Sequence, residues 1–112
     1  MENANALSPS YKLILHKSYY DKGFFNLGVG VERYVRSTSG PAILVVDRTG
    51  KEFSVNVDRG VNLNGSPRIM GGVELRNYFQ QHFRQGDWVE IRVVAPDKFV
   101  LLQPNEQSNS GE

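Results

Sequence analysis

Arg59-Gly60-Val61-Asn62-Leu63-Asn64-Gly65-Ser66-Pro67-Arg68-Ile69 brings two guanidinium groups and two carboxamides together in one short run. Gly60, Gly65 and Pro67 code it as a loop between a strand pattern and a helix pattern. An Asn-Gly pair alone would suffice to turn the chain, and a surface turn is the plain alternative. Two flanking arginines exceed that need. Arg offers paired donors to O6 and N7 of guanine, Asn a donor and an acceptor to adenine, and both meet phosphate oxygens. The run therefore predicts nucleic-acid recognition.

Other chemistries find less in the sequence. His16 and His82 are the only histidines and there is no cysteine, so no His-x-x-x-His or thiolate ligand set exists. Asp47, Asp58 and Asp87 all fall in turn-coded segments, where Asp is favoured for local hydrogen bonds. Neither a Gly-x-Ser-x-Gly elbow nor a phosphate-binding Gly-rich loop before a helix is present. The expectation is a binding protein, not an enzyme, with no metal and no cofactor.

At 112 residues, 39% hydrophobic and 22% charged, the chain has the composition of one globular domain. No apolar run reaches the roughly 18 residues of a membrane span. Met1–Ser10 lacks the basic and apolar regions of a secretory signal, which points to a cytoplasmic or nuclear setting. The net charge of +1 is unevenly spread: residues 11–68 hold nine basic and five acidic groups, residues 69–103 balance, and the tails are acidic. A body more basic than the whole chain suits a polyanion.

The elements that must hold the Arg59–Ile69 run are mostly strands. Residues 1–10 and 104–112 are polar, aperiodic tails. Tyr11–His16 reads as a strand with Leu13 and Leu15 on one face. Ser18–Gly23 reads as a polar-aromatic loop, with Tyr19 and Tyr20 on opposite faces of an extended segment. Phe24–Val29 is a short strand whose phenylalanines belong to the core, and Gly30–Val35 is either a helical turn or more strand. Ala42–Asp47 and Glu52–Val57 form a hairpin across Arg48-Thr49-Gly50-Lys51. Gly72–Phe83 carries the one clear helical period. Trp88–Val94 and Lys98–Leu102 form a last hairpin, with Trp88 as a packing residue. Such a count favours a small barrel over a layered α/β fold.

This order of elements resembles the DNA-binding pseudobarrel family, which includes DNA-binding domains of plant transcription factors and recognition or effector domains of restriction endonucleases. Three segments carry the likeness. Lys17–Leu27 resembles the family's first recognition arm, Arg59–Ile69 sits where the second arm belongs, and Leu75–Val89, with Gly86-Asp87, looks like its helix, turn and final strand. Leu27-Gly28 departs from the aliphatic-Pro usual after the first arm. The second arm looks closer to the restriction-enzyme branch, although no nuclease catalytic segment accompanies it in these residues.

The resemblance implies an open seven-stranded, mainly β pseudobarrel over residues 11–103, with one or two short helices. It also implies two arms that grip the major groove of double-stranded DNA. Lys17, Ser18, Tyr19, Tyr20, Lys22 and Asn26 would line the first arm, and Arg59, Asn62, Asn64, Ser66 and Arg68 the second. A monomer is expected, with a nuclease or regulatory domain as a further partner. Two other readings stay open. One is a barrel for RNA or single strands using exposed aromatics. The other is a small double-psi-type barrel enzyme with Gly86-Asp87 in a substrate loop.

Overall fold

Strand alternation dictates most of the architecture. A computed structural model describes residues 8–28 and 30–102; of the expected tails 1–10 and 104–112, residues 1–7 and 104–112 lie outside the described residues, and Ser10 belongs to the first strand. Its seven strands are β1 (Ser10–Ile14), β2 (Phe24–Asn26), β3 (Gly40–Val46), β4 (Glu52–Asp58), β5 (Arg68–Met70), β6 (Trp88–Ala95) and β7 (Lys98–Leu102). The helices are α1 (Lys17–Lys22) and α2 (Gly72–His82), with a 3-10 turn at Glu32–Tyr34. No helix among these residues is long and apolar enough to cross a membrane.

The strands form one curled sheet in the order β1-β6-β7-β3-β4-β5-β2, in which only β3 and β7 run parallel. β1 and β2 end the sheet and are not paired to each other, so the barrel is open, as expected. In β4, Phe53, Val55 and Val57 point inward while Glu52, Ser54 and Asn56 face solvent. Val89, Ile91 and Val93 do the same in β6. This period-two burial joins Phe25, Leu44, Ile69, Phe99 and Leu101 into one core. α2 closes it from one side through Leu75, Tyr78 and Phe79, with the Tyr78 ring edge-on to Phe53 at 5.3 Å.

Three local readings are corrected. Ser18–Gly23 is not an extended loop: Lys17–Lys22 is a helix that ends on Gly23 at φ +77°. At six residues it is too short to show a hydrophobic period, and it is held instead by tertiary contacts. Tyr20 donates its hydroxyl to the Phe83 carbonyl at 3.0 Å, and Gln80 Nε2 donates to the Tyr20 carbonyl at 3.0 Å. The end of the Arg59–Ile69 run is not loop either, because Arg68–Met70 is a strand bridging β4 and β2. Trp88 is not packed away. It is 55% exposed, on the face of β6 opposite Val89 and Ile91, as strand alternation requires.

Gly23 is where helix, sheet and α2 meet. Its carbonyl accepts the Gly71 and Gly72 amides at 2.9 and 3.2 Å, and a Cβ there would strike the Gly72 carbonyl and the Arg76 amide. Its left-handed backbone also favours glycine.

Candidate nucleic-acid interface

The free edge of β1, the end of β2 and the crown of the Arg59–Pro67 loop enclose an open cleft of about 780 Å³. Asn26, Asn62, Asn64, Ser66 and Tyr19, all expected contacts, line it. None of its lining residues is Asp or Glu. Across the cleft, Gly28 lies so close to Tyr11 that a Cβ would stand 2.6 Å from the tyrosine hydroxyl.

β5 pairs with β2, setting Arg68 opposite Asn26 in register. Arg68 Nε donates to Asn26 Oδ1 at 3.1 Å and its Nη2 to Asn62 Oδ1 at 3.4 Å, while its guanidinium lies 4.3 Å from the Phe24 ring centre. Cation–π stacking and two amide acceptors thus hold the guanidinium plane. No carboxylate among the described residues pairs with it, and Nη1 makes no hydrogen bond there. Arg68 therefore keeps donors available in a fixed orientation.

The amides are arranged around that group. Asn62 Nδ2 donates to Asn26 Oδ1 and to the Ser66 carbonyl, both at 3.0 Å. Asn64 Oδ1 accepts the Ser66 amide at 3.0 Å and the Ser66 hydroxyl at 2.8 Å, an Asx turn that leaves Ser66 buried. Asn26 Oδ1 thus serves two donors, whereas its own Nδ2 makes no bond among the described residues. As arranged, Asn26 presents a donor to a ligand and not the donor–acceptor pair that reads adenine.

Arg59 lies behind the loop. Its Nε donates to the Arg36 carbonyl at 2.9 Å, Nη1 to Gly65 at 3.0 Å, and Nη2 to Glu32 at 2.7 Å and Val35 at 3.0 Å. The Arg59 amide also donates to Ser39 Oγ at 2.8 Å. These bonds tie the Arg59–Pro67 loop to the 3-10 turn and the segment after it. Arg59 is not beside Asn26, as Arg68 is; its guanidinium is committed to the scaffold.

In the first arm, the Tyr19 ring packs edge-on against Phe24 at 5.3 Å and His16 at 5.6 Å, beside the Arg68 platform. Tyr20 turns the other way, toward Phe83. Ser18 and Lys22 are exposed on α1. Lys17 pairs with Asp21 at 2.7 Å; that hydrogen bond, and then the carboxylate's charge, raises the Lys17 pKa above its usual value. The pair is solvent-exposed and open to competition from salt or phosphate.

No family model matches this chain, and none of the curated proteins does. Among solved structures it is similar to the N-terminal domain of Helicobacter pylori LlaJI.R1. The two align with a TM-score of 0.61, covering 92% of this chain and 89% of that one, at 9% identity. The likeness is one of fold.

Tyr11, Lys12, His16, Val61, Leu63 and Trp88 also line the cleft and lie outside the set expected from sequence. Alternation gave a signal for some of them: inward Leu13 and Leu15 turn Lys12 and His16 to the other face. Nothing in the sequence shows that β1 is an edge strand. Among the described residues, no three His, Cys, Asp or Glu side chains converge as a metal site would need.

Proposed function

We propose that this chain is a sequence-preferring double-stranded DNA-binding domain that grips the major groove with two arms, α1 through Asn26 and the loop through Arg68. The observation that carries the reading is the Arg68 guanidinium, which makes no ion pair among the described residues although Asp58 lies opposite it in register, and which is stacked on Phe24 and oriented by Asn26 and Asn62. A guanidinium held this way meets guanine O6 and N7 without first losing its rotamer freedom. The acid-free cleft and the pseudobarrel fold support the same reading.

Within it, Arg68 and the Asn26 amide read base edges, while Lys17, Ser18, Tyr19, Lys22 and Lys12 meet phosphates. Asn62, Asn64 and Ser66 shape the loop, Arg59 clamps it and Tyr20 anchors α1. The domain supplies binding and no catalysis; a nuclease or regulatory domain would add any chemistry.

The test is binding to a random duplex pool, with selection of the preferred site and a salt titration on it. With three to four phosphates neutralised, affinity should fall roughly 40–150-fold between 50 and 200 mM salt. A flat salt response, or tighter binding to single strands or RNA than to duplex, would refute the reading.

A further inference from the structure

Leu63 stands at the crown of the second arm, fully exposed at 107% of its reference surface. Single exposed aliphatics are ordinary on protein surfaces. This one is not alone: exposed Val61 and Trp88 line the same cleft. Nor is it on a loose loop. Asn62 on one side is tied to Asn26 and Ser66, Asn64 on the other to Ser66, and the Gly65 amide donates to the Asn62 carbonyl at 3.0 Å. Both neighbours turn their amides inward, and Leu63 is left projecting from a fixed backbone.

Resting on the DNA-binding reading above, we infer that Leu63 is a specificity-determining residue that packs on the C5-methyl group of a pyrimidine in the major groove. Base edges there present donors, acceptors and one apolar group, the C5-methyl. Arg68 and Asn26, joined to Leu63's own neighbour Asn62, supply the polar part of such a reader. An aliphatic tip on the cleft that Asn26 and Asn62 also line complements the methyl and nothing else on the base edge. Thymine and 5-methylcytosine both carry that group.

The experiment uses the full chain and the duplex selected from the random pool. Thymines are replaced one at a time by deoxyuridine, which deletes only the methyl, and cytosines one at a time by 5-methylcytosine. Loss of one buried methyl should weaken binding roughly fourfold at one position. Leu63→Ala should weaken the unmodified duplex by about the same factor and be indifferent to the methyl at that position. A deoxyuridine loss identifies thymine as the source, and a 5-methylcytosine gain identifies methylated cytosine; either supports the inference. Melting of Leu63→Ala is followed alongside, and because the side chain touches solvent it should match wild type.

Duplex binding that ignores every methyl change overturns the inference while leaving the DNA-binding reading intact. So does a Leu63→Ala variant that weakens every duplex alike and remains methyl-sensitive, the behaviour of a wedge inserted between base steps. Absence of any duplex binding overturns both.

Discussion

Replacing Arg59 with Met keeps an unbranched apolar stem as far as the Nε position and removes every donor. The guanidinium makes four hydrogen bonds to backbone carbonyls of Glu32, Val35, Arg36 and Gly65, at 2.7 to 3.0 Å, and only the bond to Gly65 is exposed. A hydrogen bond to a charged group contributes about 1.5–3 kcal/mol, but carbonyls near the surface recover part of that from water. Counting one to two bond equivalents gives a loss of about 2–4 kcal/mol. For a domain of this size the melting temperature should drop by roughly 8–16 °C, measurable by circular dichroism or calorimetry. Arg59→Lys keeps the charge but not the planar fork, and should recover only part of the loss. Duplex affinity should fall in both variants at temperatures where the loop loosens, with the same salt slope as wild type. An Arg59→Met protein that melts like wild type, yet loses base preference and one phosphate's worth of salt dependence, would refute the clamp and make Arg59 a reader.

The remaining variants separate reading from holding. Arg68→Ala should relax preference at one base pair, costing about 1–3 kcal/mol of discrimination, whereas Lys22→Ala should weaken all duplexes alike and reduce the salt slope by about one; filter binding across the selected site and its single-base variants checks both. Gly23→Ala should destabilise by about 3 kcal/mol or more in urea unfolding, because a Cβ would strike the Gly72 carbonyl and Arg76 amide on a left-handed backbone. Tyr20→Phe should cost about 1 kcal/mol of stability through the lost bond to the Phe83 carbonyl, and leave duplex affinity unchanged at a temperature where both proteins are folded.

The fold was legible wherever burial is periodic. β4 and the strand pair β6–β7 follow from alternation, and α2 follows from the spacing of Leu75 with Phe79 and of Tyr78 and Phe79 with Phe83, although Val73, expected to begin that period, is exposed. Short elements were not legible. α1 has six residues and β5 three, and both exist because of tertiary partners: Phe83 and Gln80 for the helix, β4 and β2 for the strand. The chemical character of the second arm was visible in its residue types, but not the assignment of roles. Arg59 and Arg68 are the same residue nine positions apart. Only pairing of β5 with β2 turns one beside Asn26, and only the 3-10 turn gives the other its carbonyls. Trp88 shows the opposite case, where alternation already contained the answer and aromatic size was the misleading cue.

The open barrel has a further consequence, for the protein's dealings with its own copies. A sheet that ends in β1 and β2 presents two rows of backbone groups on which another chain could add a strand. β2 is only three residues long, too short to template much of a neighbour. β1 is longer, and there the charged Lys12 sits in mid-strand beside the cleft. A lysine at that point discourages edge-to-edge joining, which would otherwise lead toward aggregates. An edge lysine of this kind works against self-pairing of the cleft's rim whatever the cleft binds.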